Sequence, residues 1–344
     1  MTSPPGHHAA PTRVAVLVNP TAGRGRAARA VGLVLERLRA GGAQVDELVG
    51  ATADEAAQLA RRAVGDGIDT LVALGGDGLV SLAQQAVAGT DVRLGIVPCG
   101  TGNDAARALG LPLGDAAAAV DVVLAGRTQV VDLGRVAGRT FLAVLSSGFD
   151  SRVNERANTM RWVRGPVRYQ VAMVAELGVF RAVPYRMVLD GEQHELEAML
   201  VAVGNGPSYG GGMRVCPAAD LSDGLLDVTV VLPLTTARFL RLFPSVYRGE
   251  HVRSASVRTF RARHVTLESP GMTAYADGEP VGPLPVTVEA VPAGLTVLVP
   301  GGTAKHLPTS STSGARAPSR HRSAGPCGRR PPVAGSVPRT EEQP

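Results

Sequence analysis

The sequence predicts an α/β protein: an N-terminal α/β domain built on a Rossmann-like parallel sheet, followed by a C-terminal β-sandwich domain. Three observations carry this expectation. From Arg13 to about Leu124, apolar runs rich in β-branched residues alternate with helix-like stretches. Two glycine-rich turns, Gly75-Gly76-Asp77-Gly78 and Gly100-Thr101-Gly102-Asn103-Asp104, each follow such a run and open a helix. Beyond Thr140, alternating strands replace the βα alternation.

Arg13 to Asn19 reads as a first buried strand, running into Pro20-Thr21-Ala22-Gly23-Arg24-Gly25-Arg26 and a helix to about Arg39. Two glycines and two arginines at a helix start suit a phosphate, although no third glycine completes a dinucleotide fingerprint. Val45 to Val49 forms a second strand, and Thr52-Ala53-Asp54-Glu55 opens a capped helix to about Val64. Thr70 to Leu74 is the third strand, ended by the first glycine turn. Three glycines around Asp77 leave a bare backbone that can approach a phosphate. A carboxylate there repels phosphate unless a Mg²⁺ ion stands between them. The plain alternative makes Asp77 a helix cap.

Leu94 to Val97, the fourth strand, feeds the second turn, and two such turns from one sheet converge on one crevice. Helices follow over Ala105 to Leu109 and Asp115 to Leu124, and Val130 to Gly134 opens the change of pattern. Strands are expected at Leu142–Leu145, Tyr185–Leu189, Ala198–Val203, Leu226–Leu232, Val252–Phe260, His264–Glu268, Val286–Ala290 and Leu295–Val299. Helices are expected over Ser151–Arg161 and Val167–Phe180, the second apolar along Val171, Val174 and Leu177 as a packing helix is. From Gly301 the composition turns to Pro, Ser, Gly, Thr and Arg without periodicity, which reads as a disordered tail whose arginines could touch anionic headgroups.

The 344 residues carry a formal charge of +5. Seven of the 35 basic and two of the 30 acidic residues lie beyond Gly302, leaving 28 of each in the body. A neutral body loses the electrostatic support for nucleic-acid binding. Lys305 is the only lysine, which excludes a Walker-A lysine, a protein-kinase lysine and Schiff-base chemistry. Cys99, Cys216 and Cys327 show no disulfide or zinc spacing and fit a reducing compartment. With neither an apolar leader nor a transmembrane run, the expected location is cytoplasmic, with peripheral membrane association. Nothing in the sequence conflicts with a homodimer.

Two further acidic motifs sit in the second half. Asp220-Leu221-Ser222-Asp223-Gly224-Leu225-Leu226-Asp227 spaces its carboxylates as a hard cation or a capped turn would. Asp277-Gly278-Glu279 has a hairpin signal in Asp-Gly that leaves Glu279 unexplained.

Taken in order, Asn19-Pro20 with Gly23 and Gly25, the two glycine turns, the Asp220–Asp227 motif and Asp277-Gly278-Glu279 resemble the diacylglycerol kinase catalytic family over roughly residues 13–300. That family includes bacterial soluble lipid kinases and the sphingosine and ceramide kinases. The resemblance implies ATP between a nucleotide-binding α/β domain (11–135) and a β-rich lipid-substrate domain (136–300), with 301–344 as a basic tail. It implies a Mg²⁺-dependent transfer of the γ-phosphate to a hydroxyl of diacylglycerol or a related lipid at a membrane surface. Asn19, Gly23, Thr52, Gly76, Gly78, Gly100 and Thr101 would line the nucleotide. Asp77, Asp104, Asp132 and Glu279 would hold Mg²⁺ partly through water, and Asp277 would be the general base. Asp220, Asp223 and the Leu225 carbonyl would form a structural Mg²⁺ site. Gly204-Asn205-Gly206 and Tyr209-Gly210-Gly211-Gly212 match the family's substrate-domain loop.

The family usually follows its first glycine turn with Thr and then Asn-Glu, where this chain has Leu79, Val80, Ser81 and Leu82. A catalytically weakened nucleotide- or lipid-binding module of the same fold is therefore the second expectation. The retained Asp77, Asp104, Asp277 and Glu279 favour an active enzyme. NAD kinases and phosphofructokinases share the Gly-Gly-Asp-Gly turn, but the Asp220–Asp227 and Asp277–Glu279 motifs argue against them.

Overall fold

Alternate residues of the first strand face opposite sides, and both sides are apolar, which is what a strand covered on two faces requires. In the computed structural model, which describes residues 12–149, 151–153, 156 and 181–301, this strand is Arg13–Val18 (β1). It lies between Gln44–Val49 (β2) and Thr70–Gly75 (β3), with Arg93–Pro98 (β4) next, all parallel. Ala15, Leu17, Leu71 and Ala73 pack under Ala53–Gly65 (α2), Asp77–Val87 (α3) and Asp104–Ala108 (α4). Val14, Val16, Val18, Val72 and Leu74 pack under Ala22–Ala40 (α1) and Ala116–Ala125 (α5). Helices on both faces leave the carboxyl ends of the strands as the open edge. The turns after β1, β3 and β4 and the start of α2 all lie along that edge.

The remaining elements are the strands Thr128–Val136 (β5), Arg139–Phe141 (β6), Val144–Gly148 (β7), Val183–Leu189 (β8), Glu192–Ala198 (β9), Leu200–Gly204 (β10) and Leu226–Val231 (β11), the helix Thr236–Val246 (α6), and the strands Val257–Ala262 (β12), His264–Glu268 (β13), Thr273–Ala276 (β14), Glu279–Pro283 (β15) and Val286–Leu298 (β16). The last strand pairs with β4 in parallel and with β5 and β13 antiparallel. It thereby extends the parallel sheet into a ten-stranded one, in the order β2-β1-β3-β4-β16-β13-β8-β9 with β5 and β6 attached. A second, six-stranded sheet runs β12-β11-β10-β7-β14-β15. Leu145, Val201, Val203, Leu226, Val228 and Val230 of this sheet meet Met187, Leu189, Val265, Leu267 and Val288 of the first, forming the sandwich core.

The expected strands in 13–97 and the capped helix over 53–65 form close to their predicted limits. Thr52 accepts from the Glu55 amide while Glu55 Oε2 accepts from the Ala51 amide, a reciprocal cap. Other expectations need correction. Val252–Phe260 is not one strand: Glu250–Arg253 makes a 3₁₀ turn. Ser254 Oγ then takes the Ser256 amide before β12 starts at Val257. The two strands expected over 286–299 are one, its register shifting between Val291 and Leu295 around Pro292-Ala293-Gly294. Polar β9 escapes a hydrophobic-pattern reading because it is an edge strand. Helix α6 was unexpected because Pro244 lies inside it. The helices expected over 151–161 and 167–180 fall almost wholly outside the described residues, as does the tail.

Candidate active site

The glycine turns touch one another because they lack side chains where they cross. A Cβ on Gly76 would stand 3.1 Å from Gly100 Cα, and one on Gly23 would collide with the Cys99 carbonyl. Asn19 ends β1, its amide donating to Leu74 O at 3.3 Å and its Oδ1 accepting from the Thr21 amide and hydroxyl. Arg26 reaches across from α1 to donate to Gly100 O at 2.6 Å. Asn19, Gly23, Gly76, Gly78, Gly100 and Thr101 thus come together at the open sheet edge. Thr52 stands at the neighbouring start of α2, its hydroxyl used in the cap.

Asp77 is not the helix cap; Gly76 occupies that position. Both carboxylate oxygens of Asp77 instead accept backbone amides of the second turn, Asn103 and Asp104, each at 2.7 Å. A Cβ on Gly102 would strike Asp77 Oδ2, so only glycine leaves room for this clasp. Asp104 repeats the pattern, its oxygens accepting the amides of Gly211 at 2.8 Å and Gly212 at 2.7 Å. Burial pushes the Asp104 carboxyl up, the charge of Asp77 adds to this, and the two amides oppose it.

Asp277 arrives from the second sheet. The β14–β15 hairpin turns through Asp277 (φ 49°) and Gly278 (φ 84°), so the expected hairpin forms. Pairing of β14 with β7 lays Asp277 against the start of β7. Its Oδ2 accepts from Leu142 at 2.9 Å, and its Oδ1 accepts from Ala143 at 3.0 Å and Val144 at 3.1 Å. Burial pushes its carboxyl up to about 6 against those three amides, and the charge of Asp77 pushes the same way. Asn205 secures the segment from behind, donating from Nδ2 to Leu142 O at 2.8 Å and Asp132 O at 2.9 Å. Exposed Glu279 brings Oε1 within 3.8 Å of where a Gly78 Cβ would be. Carboxylates 200 residues apart in the chain therefore share one gap.

Asp132 and Asp77 have no partner in common. Asp132 accepts from Gly224 and Ala293, each at 2.7 Å, joining β5 to the 220–225 loop and to the irregular stretch of β16.

Among the described residues, no arginine ion-pairs with Asp77, Asp104 or Asp277, and no three acidic, His or Cys side chains converge tightly enough to cage a metal. Carboxylates that keep spare lone pairs while their amide bonds stand fit a hydrated Mg²⁺ held through water. The Asp220–Asp227 loop differs. Asp223 accepts from the Leu225 amide at 3.0 Å and from Arg261, whose Nε also lies 3.3 Å from Asp227 Oδ2. Asp220 Oδ1 is taken by Ser222. As the side chains stand, Arg261 supplies positive charge to Asp223 and Asp227. Sequence reasoning missed Arg261, which is 38 residues from Asp223 and carries no motif.

The turn after β3 also fixes Leu79. Its amide is engaged with Gly76 O at 3.0 Å and is not available to a phosphate. Its side chain is buried in the core with Ala56, Ala60 and Ala83. The amides of Asp77 and Gly78, by contrast, have no protein acceptor among the described residues.

Known proteins share this architecture. The diacylglycerol kinase catalytic domain family matches residues 13–136, and the YegS C-terminal NAD kinase beta sandwich-like domain family matches residues 143–299. A diacylglycerol kinase of Mycobacterium tuberculosis (strain ATCC 25618 / H37Rv) is 47% identical over 294 residues, covering 84% of this chain and 95% of that one. One of Bacillus subtilis (strain 168) is 29% identical over 277 residues, covering 79% and 91%. The crystal structure of a putative diacylglycerol kinase from Bacillus anthracis str. Sterne superimposes with a TM-score of 0.71 at 23% identity, covering 86% of this chain and 97% of that one.

Proposed function

The chain belongs to the diacylglycerol kinase family, and from that premise we propose that it transfers the γ-phosphate of ATP to the free hydroxyl of diacylglycerol or a close relative. The observation that carries this reading is the meeting of Asp277 and Glu279 with Asp77 at one gap, within electrostatic reach of each other. We assign residues 11–135 to the nucleotide, 136–300 to the lipid and 301–344 to a tail. The two family matches, which meet between 136 and 143, support that division.

In this reading the triphosphate lies over the turns at Gly23, Gly76–Gly78 and Gly100–Thr101, where the amides of Asp77 and Gly78 have no protein acceptor. A Mg²⁺ ion held there would offset the charge of the phosphates. Asp77, Asp104 and Glu279 are the groups placed to hold it through water, with Asp132 at most a more distant member. Asp277 accepts the proton of the lipid hydroxyl. In a loose transition state that proton leaves late, and a carboxyl raised to about 6 is ionised yet basic at neutral pH. Phe149, Leu200, Met213, Val231, Phe239 and Phe243 line an apolar cavity whose rim reaches Tyr209. The amides of Gly211 and Gly212, in the same loop, are held by Asp104. Hydrocarbon can thus be accepted beside the acidic gap.

The test is transfer of labelled γ-phosphate from ATP to diacylglycerol in mixed micelles. Transfer that survives Asp277→Asn unchanged would remove Asp277 from the role of base. No transfer to any diacylglycerol by the wild-type chain would remove the reading itself.

A further inference from the structure

Two of the three amides that hold the Asp277 carboxylate lie outside any strand. Leu142 and Ala143 form a buried bend between the end of β6 at Phe141 and the start of β7 at Val144. The ladder of β7 with β10 ends with Val144 opposite Gly204, so sheet pairing stops where the bend begins. The residues after β10 take over from the ladder. The amides of Asn205 and Gly206 both donate to Ala143 O, at 3.0 and 2.8 Å, and Asn205 Nδ2 donates to Leu142 O at 2.8 Å. A Cβ on Gly206 would stand 3.3 Å from Leu142 O, so glycine lets the loop follow the bend this closely.

These carbonyls belong to the peptide groups that bind Asp277. The Leu142 carbonyl shares a peptide plane with the Ala143 N–H, and the Ala143 carbonyl shares one with the Val144 N–H. Both N–H groups donate to Asp277 Oδ1. A hydrogen bond accepted by a carbonyl holds its plane and strengthens the donor at the other end. The second proton of Asn205 Nδ2 goes to Asp132 O at 2.9 Å, which ties the bend to β5. Two carbonyls on one side dictate which end of the Asn205 amide faces them. Asn205 is fully buried, yet its Oδ1 meets no hydrogen-bond donor among the described residues. An unpaired buried acceptor costs stability, so folding stability alone is a poor account of an asparagine here.

Resting on the lipid-kinase reading above, we propose that Asn205 is a positioning residue for phosphoryl transfer, acting through Asp277. It holds the two peptides whose amides fill Oδ1 of that carboxylate. Oδ2 accepts only the Leu142 amide among the described residues, and a carboxylate oxygen has two lone pairs. Oδ2 is therefore the atom left free to take a proton. In the transfer, the lipid hydroxyl oxygen bonds phosphorus as the bond from phosphorus to the ADP oxygen breaks, and the hydroxyl proton passes to Oδ2. Without Asn205 the bend loses the donor to Leu142 O, and the carboxylate loses the fixed amides that set its orientation. The Gly204-Asn205-Gly206 motif thus serves the base from behind.

The experiment is steady-state transfer of labelled γ-phosphate from ATP to diacylglycerol in mixed micelles by the full chain and its variants. Asn205→Leu nearly keeps the shape and removes both side-chain donors. Its kcat should fall about 10- to 100-fold, the effect of misplacing a reacting group, with KM for ATP within about twofold of wild type. In an Asp277→Asn background the same substitution should lower kcat by no more than about twofold, because the group it positions is already disabled. Gly206→Ala keeps the asparagine and crowds the same bend. Its loss of kcat should be smaller and should vanish in the same background, and it carries the test if Asn205→Leu does not fold. Val265→Ala, a truncation on β13 in the sandwich core, should lower the melting temperature and leave kcat at the wild-type value. Wild-type kcat in both Asn205→Leu and Gly206→Ala overturns the proposal and leaves the kinase reading standing. A loss that recurs at full size in Asp277→Asn overturns it too, since Asn205 would then act elsewhere. No transfer by the wild-type chain removes both.

Discussion

The two acidic clusters look alike in the sequence and behave differently in the fold. In the gap around Asp77, Asp104 and Asp277, seven backbone amides bind three carboxylates, and among the described residues no arginine ion-pairs with them. In the Asp220–Asp227 loop, Arg261 sits between two carboxylates and supplies the counter-charge from within the chain. Amide bonds fix geometry while leaving the net negative charge in place, and an ion pair removes it. On the proposed function, the first cluster is therefore the one that would attract a cation together with a triphosphate. The second is set to hold a loop against β12. Spacing of carboxylates alone does not distinguish the two; what faces them does.

The sharpest way to break that contrast is Asp277→Asn, which keeps the shape and removes the proton acceptor. Loss of a positioned general base costs about 10²–10⁴-fold in turnover. The readout is kcat in mixed micelles, with KM for ATP near the wild-type value because the nucleotide turns are untouched. The corresponding substitution in the other cluster, Asp223→Asn, should leave kcat within about twofold of wild type, since it alters no group in the gap. Equal losses from the two substitutions would erase the distinction.

The location of the gap was legible because glycine turns at strand ends announce themselves: Gly75–Gly78 and Gly100–Asp104 fix both the sheet edge and its contents. What the carboxylates bind was not legible, because backbone amides of Leu142–Val144, Gly211 and Gly212 have no sequence signature. Arg261 was equally hidden, one arginine among many until β11 and β12 pair and bring it over Asp223 and Asp227. Nor could periodicity show that β16 carries the chain back to β4, since strand pairing at that separation is decided by tertiary packing.

Leu79→Thr places the residue type usual in the family next to the first cluster. Leu79 packs in the core, its Cδ2 2.7 Å from where a Gly75 Cβ would be. The substitution should thus remove buried methyl groups, costing about 2–4 kcal/mol in urea unfolding. A gain in kcat without loss of stability would mean the hydroxyl reaches the gap, contrary to the packing.

The acid limb of the rate profile is a finer test. Asp277 accepts a proton only when ionised, and burial, aided by Asp77, holds its carboxyl at about 6. Above that value the base is free, and below it the protonated fraction grows. The kcat/KM should therefore fall about tenfold per pH unit on the acid side. Asp223→Asn should leave the position of this limb unchanged. An inflection near 4 would mean that the gap is better solvated than its geometry indicates.

The smallest effect belongs to the second cluster, and it tests the cluster's character most directly. Arg261→Gln removes the guanidinium and leaves buried Asp227, whose carboxyl is already pushed up by burial, without its counter-charge. Arg261 is itself nearly half exposed, so the pair is partly screened and its loss should cost only about 1 kcal/mol of stability. The informative quantity is the response to magnesium. In the wild-type chain, chelation with EDTA should leave the melting temperature unchanged, because arginine already holds the loop. In Arg261→Gln, added Mg²⁺ should recover part of the lost stability, as Asp220, Asp223 and Asp227 become free to bind a cation, and binding to the folded state raises Tm by mass action. A wild-type Tm that falls on chelation in the absence of nucleotide, with metal retained at one ion per chain, would place a cation where Arg261 now stands, and the two clusters would then differ in degree and not in kind.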